Sequence, residues 1–323
     1  MNSAVRASGF FLFACAVAAL VFAGARMAEN DYIFFAGYTV LQFVVLATAW
    51  NILGGLTGYV NFGAAAFFAC GAYATVFFHK FYALPIPLLV AIGAAVSGLI
   101  GLGMGYLTLR LRGVYFAIAT LAMAVVLRTL VTNWNYVGGA RGAYVIRPAE
   151  LDVQGLALPY IQYLFLIMLA LAVISIAIAR TIERSKLGYG FAAIRDDETA
   201  AEASGVPTLR LKLIATALSG ALMGMAGAPF PYYIGYLQPS SAFALDYAVN
   251  SIAMPLIGGT TTWVGPVIGA VLLGSLEQFI TVSISSSINL LIVGLLLVGF
   301  VIIAPNGLTG LWQRLFSKRG SKR

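Results

Sequence analysis

The sequence has little charge, since it holds only 19 basic and 11 acidic residues among 323. A soluble domain carries about 25% charged residues, whereas this chain carries 9% and is 61% hydrophobic. This composition excludes an ordinary soluble protein. The chain is therefore predicted to be a polytopic membrane protein that lies in a lipid bilayer.

Histidine and cysteine are also scarce, with one and two copies. A structural metal site is therefore not expected, and Cys15 and Cys70 both lie in apolar runs, which argues against a disulfide framework. The sequence contains no phosphate-binding G-x-x-x-x-G-K-[ST] loop, no H-E-x-x-H and no G-x-S-x-G. No catalytic residue and no cofactor are predicted, and the thinly spread charge of +8 does not suggest a nucleic-acid partner.

Long apolar segments are what the sequence has in abundance. Crossing a membrane takes about 20 residues, and this length predicts an all-α fold of about ten transmembrane helices, with a range of eight to ten. They are expected near 9–25, 32–53, 61–79, 85–109, 114–132, 160–179, 211–228, 245–257, 265–283 and 287–305. The first helix, in residues 1–31, is interpreted as uncleaved, with a signal peptide ending at Ala25 as the alternative.

The distribution of basic residues predicts the orientation of the chain. With the N-terminus in the cytoplasm, 14 of the 19 Lys and Arg residues fall in cytoplasmic loops and tails. Positive charge collects on that side of a membrane. Both termini are thus predicted to be cytoplasmic, as is the basic tail at 313–323.

Charge is concentrated in one segment, residues 180–212, which contains 11 of the 30 charged residues. Its pattern is helical: Phe191, Ile194 and Ala201 recur at helical spacing, Thr199 and Glu202 match a capping box, and Gly205 begins a stop signal. We predict an amphipathic helix that a soluble partner binds. The alternative is an ordinary solvated loop that keeps positive charge in the cytoplasm.

Glycine and small polar residues interrupt the apolar pattern twice, at 54–63 and at 258–266. Paired breaks predict an internal repeat with opened backbone around a polar cavity, whereas the alternative is two tight turns between closely packed helices. The residues of these breaks that are candidates for a translocation pathway are Gly55, Thr57, Asn61, Gly63, Gly258, Gly259 and Thr260.

Arg128 and Glu277 are the charged residues predicted to lie deepest in the membrane. Such charges are candidates for function because their burial costs about 3 kcal/mol or more. Both lie near the ends of predicted spans, however, where a side chain can reach the interface. A structural anchor is therefore the favoured interpretation for each.

Several stretches together resemble a known family. They are the run R-L-R-G-V-Y-F-A-I-A-T-L-A from Arg110, the A-I-R-D-D core at 193–197, A-A-E-A-S-G at 200–205, the Gly- and Ala-rich stretch at 58–73, the later stretch at 258–277, and A-P-N-G-L-T-G-L at 304–311. The chain is identified as similar to the permease subunits of Liv-type ABC importers for branched-chain amino acids, in their LivM-like branch. Where that family usually has His or Gln after the first break, this sequence has Ala64.

The resemblance implies a type II ABC-importer-like permease domain at 32–312, in a bacterial inner membrane. A second homologous permease, two ABC ATPase subunits and an extracytoplasmic substrate-binding protein are the implied partners, so ATP hydrolysis lies outside this chain. The resemblance places the contact with the ATPase in a coupling segment at 184–207. Its candidate residues are Leu187, Gly188, Ala193, Ile194, Arg195, Asp197, Glu198, Ala201, Glu202 and Gly205. The external loop at 133–159 is the candidate dock for the binding protein, with Arg141, Arg147, Glu150 and Asp152.

Other functions remain open at this point. A permease of the same architecture for urea, short amides or another small solute fits the same features. An ion-coupled secondary transporter is a second alternative, although it would usually show acidic residues well inside its spans. A membrane scaffold that transports nothing is a third.

Overall fold

The computed structural model describes residues 3–27, 30–82, 84–146, 150–153 and 156–283, with short pieces at 291, 294–295, 298–299 and 307–310. The helices of the main described ranges are α1 Ser3–Met27, α2 Asp31–Thr57, α3 Ala64–Phe81, α4 Ile86–Thr108, α5 Val114–Thr132, α6 Tyr160–Glu183, α7 Lys186–Asp196, α8 Glu198–Ala203, α9 Thr208–Gly227, α10 Phe230–Ile234, α11 Pro239–Ala242, α12 Leu245–Gly258 and α13 Val264–Ser283. Single 3-10 turns lie at Asn135–Val137 and Gly139–Arg141.

Seven helical stretches in the described part are long and apolar enough to cross a membrane: 31–57, 64–81, 86–108, 114–132, 160–183, 208–234 and 264–282. The all-α polytopic fold is therefore confirmed. The predicted segments at 9–25 and 245–257 form α1 and α12, but α12 has only 14 residues and contains Pro255. The segment predicted at 287–305 falls largely outside the described residues. The described residues therefore establish seven candidate spans, and the predicted total of about ten stays a prediction.

Helix α2 lies at the centre of the protein. Every residue from Gln42 to Thr57 is buried, because α6, α9, α12 and α13 pack around this helix. Glycines bring other helices together: a Cβ added to Gly71 of α3 would lie 2.0 Å from the carbonyl oxygen of Gly224 in α9. Gly93 of α4 approaches the same residue of α9, since an added Cβ there would lie 3.1 Å from that oxygen.

Two faces result from the way these helices alternate in direction. One face carries α7 and α8, the ends of α2, α4, α6 and α12, and the starts of α3, α5, α9 and α13; we name it the α7–α8 face. The start of α1 lies there too, since the Phe10 ring is 5.3 Å from that of Trp263. Glu183, at the end of α6, accepts a 2.6 Å hydrogen bond from the Trp263 backbone N–H.

The opposite face contains two small antiparallel sheets that the sequence did not predict. Strand β1 Ala143–Tyr144 pairs with β4 Tyr236–Leu237, and β2 Glu150–Val153 pairs with β3 Leu156–Pro159. The external loop at 133–159 was predicted as a candidate dock for the binding protein, without strands. Its pairing with β4 attaches it to the segment that follows α10.

Candidate functional site

The charged segment folds as two short helices with a sharp break at Asp197. Helix α7 starts after Ser185, whose Oγ accepts a 3.2 Å hydrogen bond from the Leu187 N–H. Asp197 is extended, with φ −160° and ψ 108°, and its Oδ1 accepts hydrogen bonds from the N–H groups of Thr199 and Ala200 at 2.9 and 3.0 Å. Because Asp197 is an N-cap, it ends α7 and starts α8.

The predicted capping box was wrong for this reason. Thr199 lies inside α8 and donates to Asp197 at 2.6 Å. The Glu202 carboxylate does not reach back along the helix but accepts a 2.7 Å hydrogen bond from the Thr208 hydroxyl. The stop signal is confirmed, because α8 ends at Ala203 and Gly205 takes the left-handed conformation, with φ +83°.

The apolar face of this helix pair packs against the rest of the protein. Phe191, Ile194 and Ala201 are all buried, as their spacing predicted. Helix α7 contacts α2, α6 and α9, and a Cβ added to Gly188 would lie 2.4 Å from the carbonyl oxygen of Ile182. The segment is therefore an ordered projection rather than a solvated loop.

A group of polar side chains fixes α8 to three other parts of the chain. The Lys212 Nζ, in α9, donates to Glu198 Oε1 at 2.7 Å, to the Leu109 carbonyl at 3.2 Å and to the Tyr59 hydroxyl at 3.1 Å. The Tyr59 hydroxyl in turn donates to Glu198 Oε2. We name Tyr59, Arg112, Glu198 and Lys212 the Glu198 cluster.

Arg112 forms the outer, more exposed part of this cluster. Its guanidinium lies 3.6 Å from Glu198 Oε2 and 3.7 Å from Glu202 Oε2, and its side chain is 53% exposed. An ion pair of this exposure contributes at most about 1 kcal/mol. The Lys212 side chain is only 4% exposed, so the inner pair holds the cluster together.

The protonation states of the cluster follow from its surroundings. Burial favours the neutral form of Glu198, but hydrogen bonds from Lys212 and Tyr59, with the charges of Lys212 and Arg112, outweigh it and lower the pKa of this carboxyl. Burial and the bond to Glu198 raise the pKa of the Tyr59 hydroxyl. At neutral pH, Glu198 is therefore ionised and Tyr59 is protonated, which is the pairing that the hydrogen bonds require.

A cavity of about 550 Å³ lies beside the Glu198 cluster. The α2–α3 connection, the start of α5 and the α7–α8 pair form its walls. Four parts of the chain thus meet around Glu198: this connection, the α4–α5 turn, α8 and the start of α9. Hydrogen bonds and an ion pair of Glu198 therefore connect α8 to each of the other three parts.

The structure distributes the predicted coupling residues over both sides of the helix pair. Ile194 and Ala201 are buried, Leu187, Gly188, Ala193 and Glu198 are half-buried, and Arg195, Asp197, Glu202 and Gly205 are exposed. Tyr189, which was not predicted, is 74% exposed on α7. The role of these residues in coupling stays a prediction.

Sequence reasoning missed Tyr59, Arg112, Lys212 and Thr208 as parts of this site. One signal was present, because Lys212 enters an apolar span where a cation needs a partner. Its partners lie far away in sequence, however, 153 residues from Tyr59 and 103 from Leu109. The pattern alone therefore did not identify them.

The first break begins later than predicted, because α2 ends at Thr57 rather than before Gly54. This helix continues through Gly55 to Thr57, whose hydroxyl donates to the Leu53 carbonyl at 2.5 Å. Asn61 holds the following connection: its carbonyl accepts from the Trp50 indole N–H at 2.8 Å and its Oδ1 from the Gly63 N–H at 2.7 Å.

The second break packs against the first on the α7–α8 face. A Cβ added to Gly55 would lie 2.7 Å from the Thr260 carbonyl oxygen, and one added to Gly258 would lie 1.8 Å from that of Gly265. Gly259 has φ +114°. These contacts match the tight-turn alternative for the individual residues, and a pathway along the two breaks stays a prediction.

The predicted dock lies on the opposite face. Arg141 is exposed, and its carbonyl accepts a hydrogen bond from the Tyr236 hydroxyl. Glu150 and Asp152 lie on strand β2, whereas Arg147 lies outside the described residues. The described members therefore lie on one face of the protein, and their role as a dock stays a prediction.

The two deep charges differ in environment. Arg128 is exposed on α5, near the end of that span. Glu277 of α13 is 5% exposed, and its Oε2 accepts a 3.3 Å hydrogen bond from the Asn250 amide of α12. Glu277 thus lies within the helix bundle, whereas Arg128 lies on its surface.

Comparisons with known proteins agree with this architecture. A sequence model of the family described as branched-chain amino acid transport system / permease component matches residues 32–301. The high-affinity branched-chain amino acid permease proteins LivM of Salmonella typhimurium and Escherichia coli are each 27% identical over 92% of this chain and 74% of their own length.

Other relatives match a smaller part of this chain. A protein of Methanocaldococcus jannaschii, described as a probable branched-chain amino acid transport permease LivH, is 25% identical over 84% of this chain and 90% of its own length. The autoinducer 2 import permease LsrC of an Enterobacter species is 26% identical over 69% of this chain and 64% of its own length. No solved structure matches the chain. With the family model covering most of its length, the chain belongs to the family of permease components of branched-chain amino acid transport systems.

Proposed function

We propose that this chain is one of two permease subunits of an ATP-driven importer and forms half of a translocation pathway for branched-chain amino acids. Family membership over residues 32–301 and the names of the LivM relatives support this substrate class. The observation that carries the proposal is the Glu198 cluster, in which an ordered polar projection is bonded to several membrane helices. Such a projection is what a separate ATPase needs in order to move the spans.

In the proposed mechanism, the ATPase binds the exposed side of α7 and α8. Tyr189, Arg195, Asp197 and Glu202 are exposed there, while Phe191 and Ile194 face the protein's own helices. Movement of the ATPase shifts α8, and the Glu198 cluster passes that shift to the α2–α3 connection, the α4–α5 turn and α9. ATP binding changes the equilibrium only if these contacts differ between the two states.

The orientation that this mechanism requires has the α7–α8 face in the cytoplasm of a bacterial inner membrane. The bias of 14 among 19 basic residues supports it. The start of α1 lies on the same face, in agreement with a cytoplasmic N-terminus. The permease domain is proposed to span 32–312, and the family match starts at residue 32.

The proposed partners complete the transporter. A second homologous permease supplies the other half of the pathway, two ATPase subunits lie below, and a binding protein delivers substrate to the opposite face around Arg141 and strand β2. The two glycine breaks, which meet near Gly55 and Thr260, are the proposed inner end of the pathway. This chain itself hydrolyses nothing in the scheme.

A second substrate class has support from the comparisons. The LsrC relative is described as an autoinducer 2 import permease, so a permease of related sequence serves a solute that is not an amino acid. The alternative for this chain is therefore another small polar solute delivered by its own binding protein.

The test is transport by the reconstituted complex in proteoliposomes. With both permeases, the ATPases and the binding protein present, radiolabelled leucine, isoleucine and valine should accumulate only when ATP is supplied to the ATPase side. Uptake driven by a proton or sodium gradient without ATP would contradict the mechanism. ATP-driven uptake of a different solute, with none of leucine, would contradict the substrate class alone.

A further inference from the structure

The cavity beside the Glu198 cluster has an excess of positive charge. Arg112 and Arg195 line it together with Glu198. Glu198 is bonded to Lys212 and Tyr59. Arg112 lies 3.6 Å from Glu198 and 3.7 Å from Glu202, but its side chain is 53% exposed, so these pairs contribute little. Arg195 also contacts Asp196 at 3.2 Å, but that carboxylate is 72% exposed, and such a pair contributes little. The cavity is therefore suited to an anion that both arginines contact.

The remaining walls of the cavity are apolar. Val60, Phe62, Val114, Ala117 and Ile194 all line it. A small inorganic anion would leave these side chains uncovered, because none of them offers it a hydrogen bond. An amphiphilic ligand, with an anionic group and a hydrocarbon part, satisfies both kinds of wall.

One apolar wall continues from the cavity along a membrane span. Val114, Ile118, Leu121 and Val125 follow at spacings of four, three and four, so they lie on one face of α5. Their exposed fractions are 71%, 59%, 41% and 58%. This stripe gives a hydrocarbon chain a continuous path from the cavity toward the middle of the bilayer.

The position of the cavity along the membrane normal fits a lipid headgroup. Its α5 wall is the first turn of a 19-residue span, which places it at the membrane interface. The neighbouring Arg110 guanidinium lies 5.5 Å from the centre of the Tyr106 ring, and interfacial tyrosines with basic residues mark that depth. Within the described residues no side chain caps α5, so its first N–H groups add to the positive potential.

We propose that this cavity binds the headgroup of an anionic phospholipid, with the phosphate between Arg112 and Arg195 and one acyl chain along the Val114–Val125 stripe. The bound lipid would contact the α2–α3 connection, α5 and α7 at once. If the proposed function holds, the lipid therefore stabilises one position of α7 and α8. Binding itself does not depend on that function.

The experiment measures retained lipid by native mass spectrometry of the complete transporter, released from nanodiscs of phosphatidylcholine and phosphatidylglycerol. Arg112→Gln and Arg195→Gln should each lower retention of phosphatidylglycerol about fivefold, since one basic residue near an anionic surface contributes about 1 kcal/mol. Ala117→Trp, which fills the cavity without changing charge, should abolish retention.

Matched controls lie on the same helix. Arg128→Gln removes an exposed arginine near the other end of α5, and Leu130→Trp places a tryptophan on an exposed position of α5 that lies outside the cavity and away from the Val114–Val125 stripe. Both should retain phosphatidylglycerol like the unchanged protein. Equal retention by all variants, or equal loss in the controls, would overturn the proposal.

Two further arms separate the sources of the anion and the two proposals. In nanodiscs of phosphatidylcholine alone, inorganic phosphate at millimolar concentration should not bind, and in the mixed nanodiscs it should not displace phosphatidylglycerol. Displacement would assign the cavity to a free anion instead. Loss of ATP-driven uptake with normal lipid retention counts against the proposed function only. Normal uptake with no retained lipid counts against the lipid site only.

Discussion

Two junctions on the α7–α8 face hold together by different physical means. At the α12–α13 turn, backbone touches backbone, since Gly258 and Gly265 leave no space for a Cβ and Gly259 has φ +114°. At α8, a lysine, a tyrosine and an arginine surround one carboxylate. Backbones packed directly against each other have only one arrangement without a clash. Charged side chains that share several partners can rearrange their hydrogen bonds at a moderate cost in free energy. In the proposed mechanism, the glycine junction is therefore the fixed part and the Glu198 junction is the moving part.

The largest expected effect is at the fixed junction. Gly258→Ala should destabilise the protein by about 3 kcal/mol or more, because its Cβ would lie 1.8 Å from the Gly265 carbonyl oxygen and the two backbones would have to move apart. The measurement is the midpoint of thermal unfolding in detergent, with the yield of monodisperse protein. Gly103→Ala is the matched control, since nothing lies within 4 Å of its added Cβ; equal loss in both variants would contradict the assignment.

The moving junction should respond differently. Lys212→Met leaves the chain able to insert but removes the main partner of Glu198, at a cost of about 3 kcal/mol at this contact. Uptake per ATP hydrolysed should fall at least about fivefold, while hydrogen exchange at 198–203 increases. Arg210→Met, two residues earlier and exposed, is the control. Unchanged coupling in Lys212→Met would remove the cluster from the mechanism.

A smaller effect is expected at the rim of the same junction. Glu202→Lys loses the hydrogen bond from Thr208 and places a cation beside Arg112. The ion pair between Glu202 and Arg112, whose side chains are each about half exposed, contributes about 1 kcal/mol or less. The buried Thr208 hydroxyl also loses its partner, so the total loss of stability should be about 1 to 2 kcal/mol. ATPase activity should become less dependent on substrate-loaded binding protein, measured in proteoliposomes. Full dependence on the loaded binding protein in this variant would show that Glu202 takes no part in coupling.

The smallest effect is that of pH near neutrality. The pKa of Glu198 is lowered in the folded protein, so its stabilising contribution is complete above the unfolded value of about 4.3 and is lost as pH falls through the folded value. Hydrogen exchange at 198–203, corrected for its intrinsic pH dependence, should be constant from about pH 6 to 9 and increase only below about pH 4. An increase near pH 6 would contradict the assignment of an ionised, bonded Glu198.

The same two junctions show what the sequence could and could not predict. Apolar length and periodicity predicted the spans well, with α5 found at Val114–Thr132, because burial in lipid requires continuous helix. Periodicity also identified the buried face of the charged segment, from Phe191 to Ala201. The N-cap of α8 was predicted less well. Asp and Thr are both favoured N-cap residues, so the sequence did not distinguish Asp197 from Thr199. The structure shows that Asp197 is the N-cap, because its backbone is extended there.

Contacts between distant segments could not be predicted. The bonds that Lys212 makes to Tyr59 and Leu109 depend on how α9 packs against α2 and α4, and glycine contacts such as those of Gly71 with Gly224 set that packing. A single sequence shows that a lysine lies at the start of a span, but it does not show which groups accept hydrogen bonds from that lysine. The charged segment was therefore identified without the side chains that attach it.

The most direct test of the central claim asks which side of the membrane Tyr189 faces and what it touches. In a Cys15→Ala, Cys70→Ala background, Tyr189→Cys should be protected from a membrane-impermeant thiol reagent added to intact cells. In the purified complex it should crosslink to the ATPase subunit. Labelling from outside the cell, or crosslinking to the binding protein, would contradict the account.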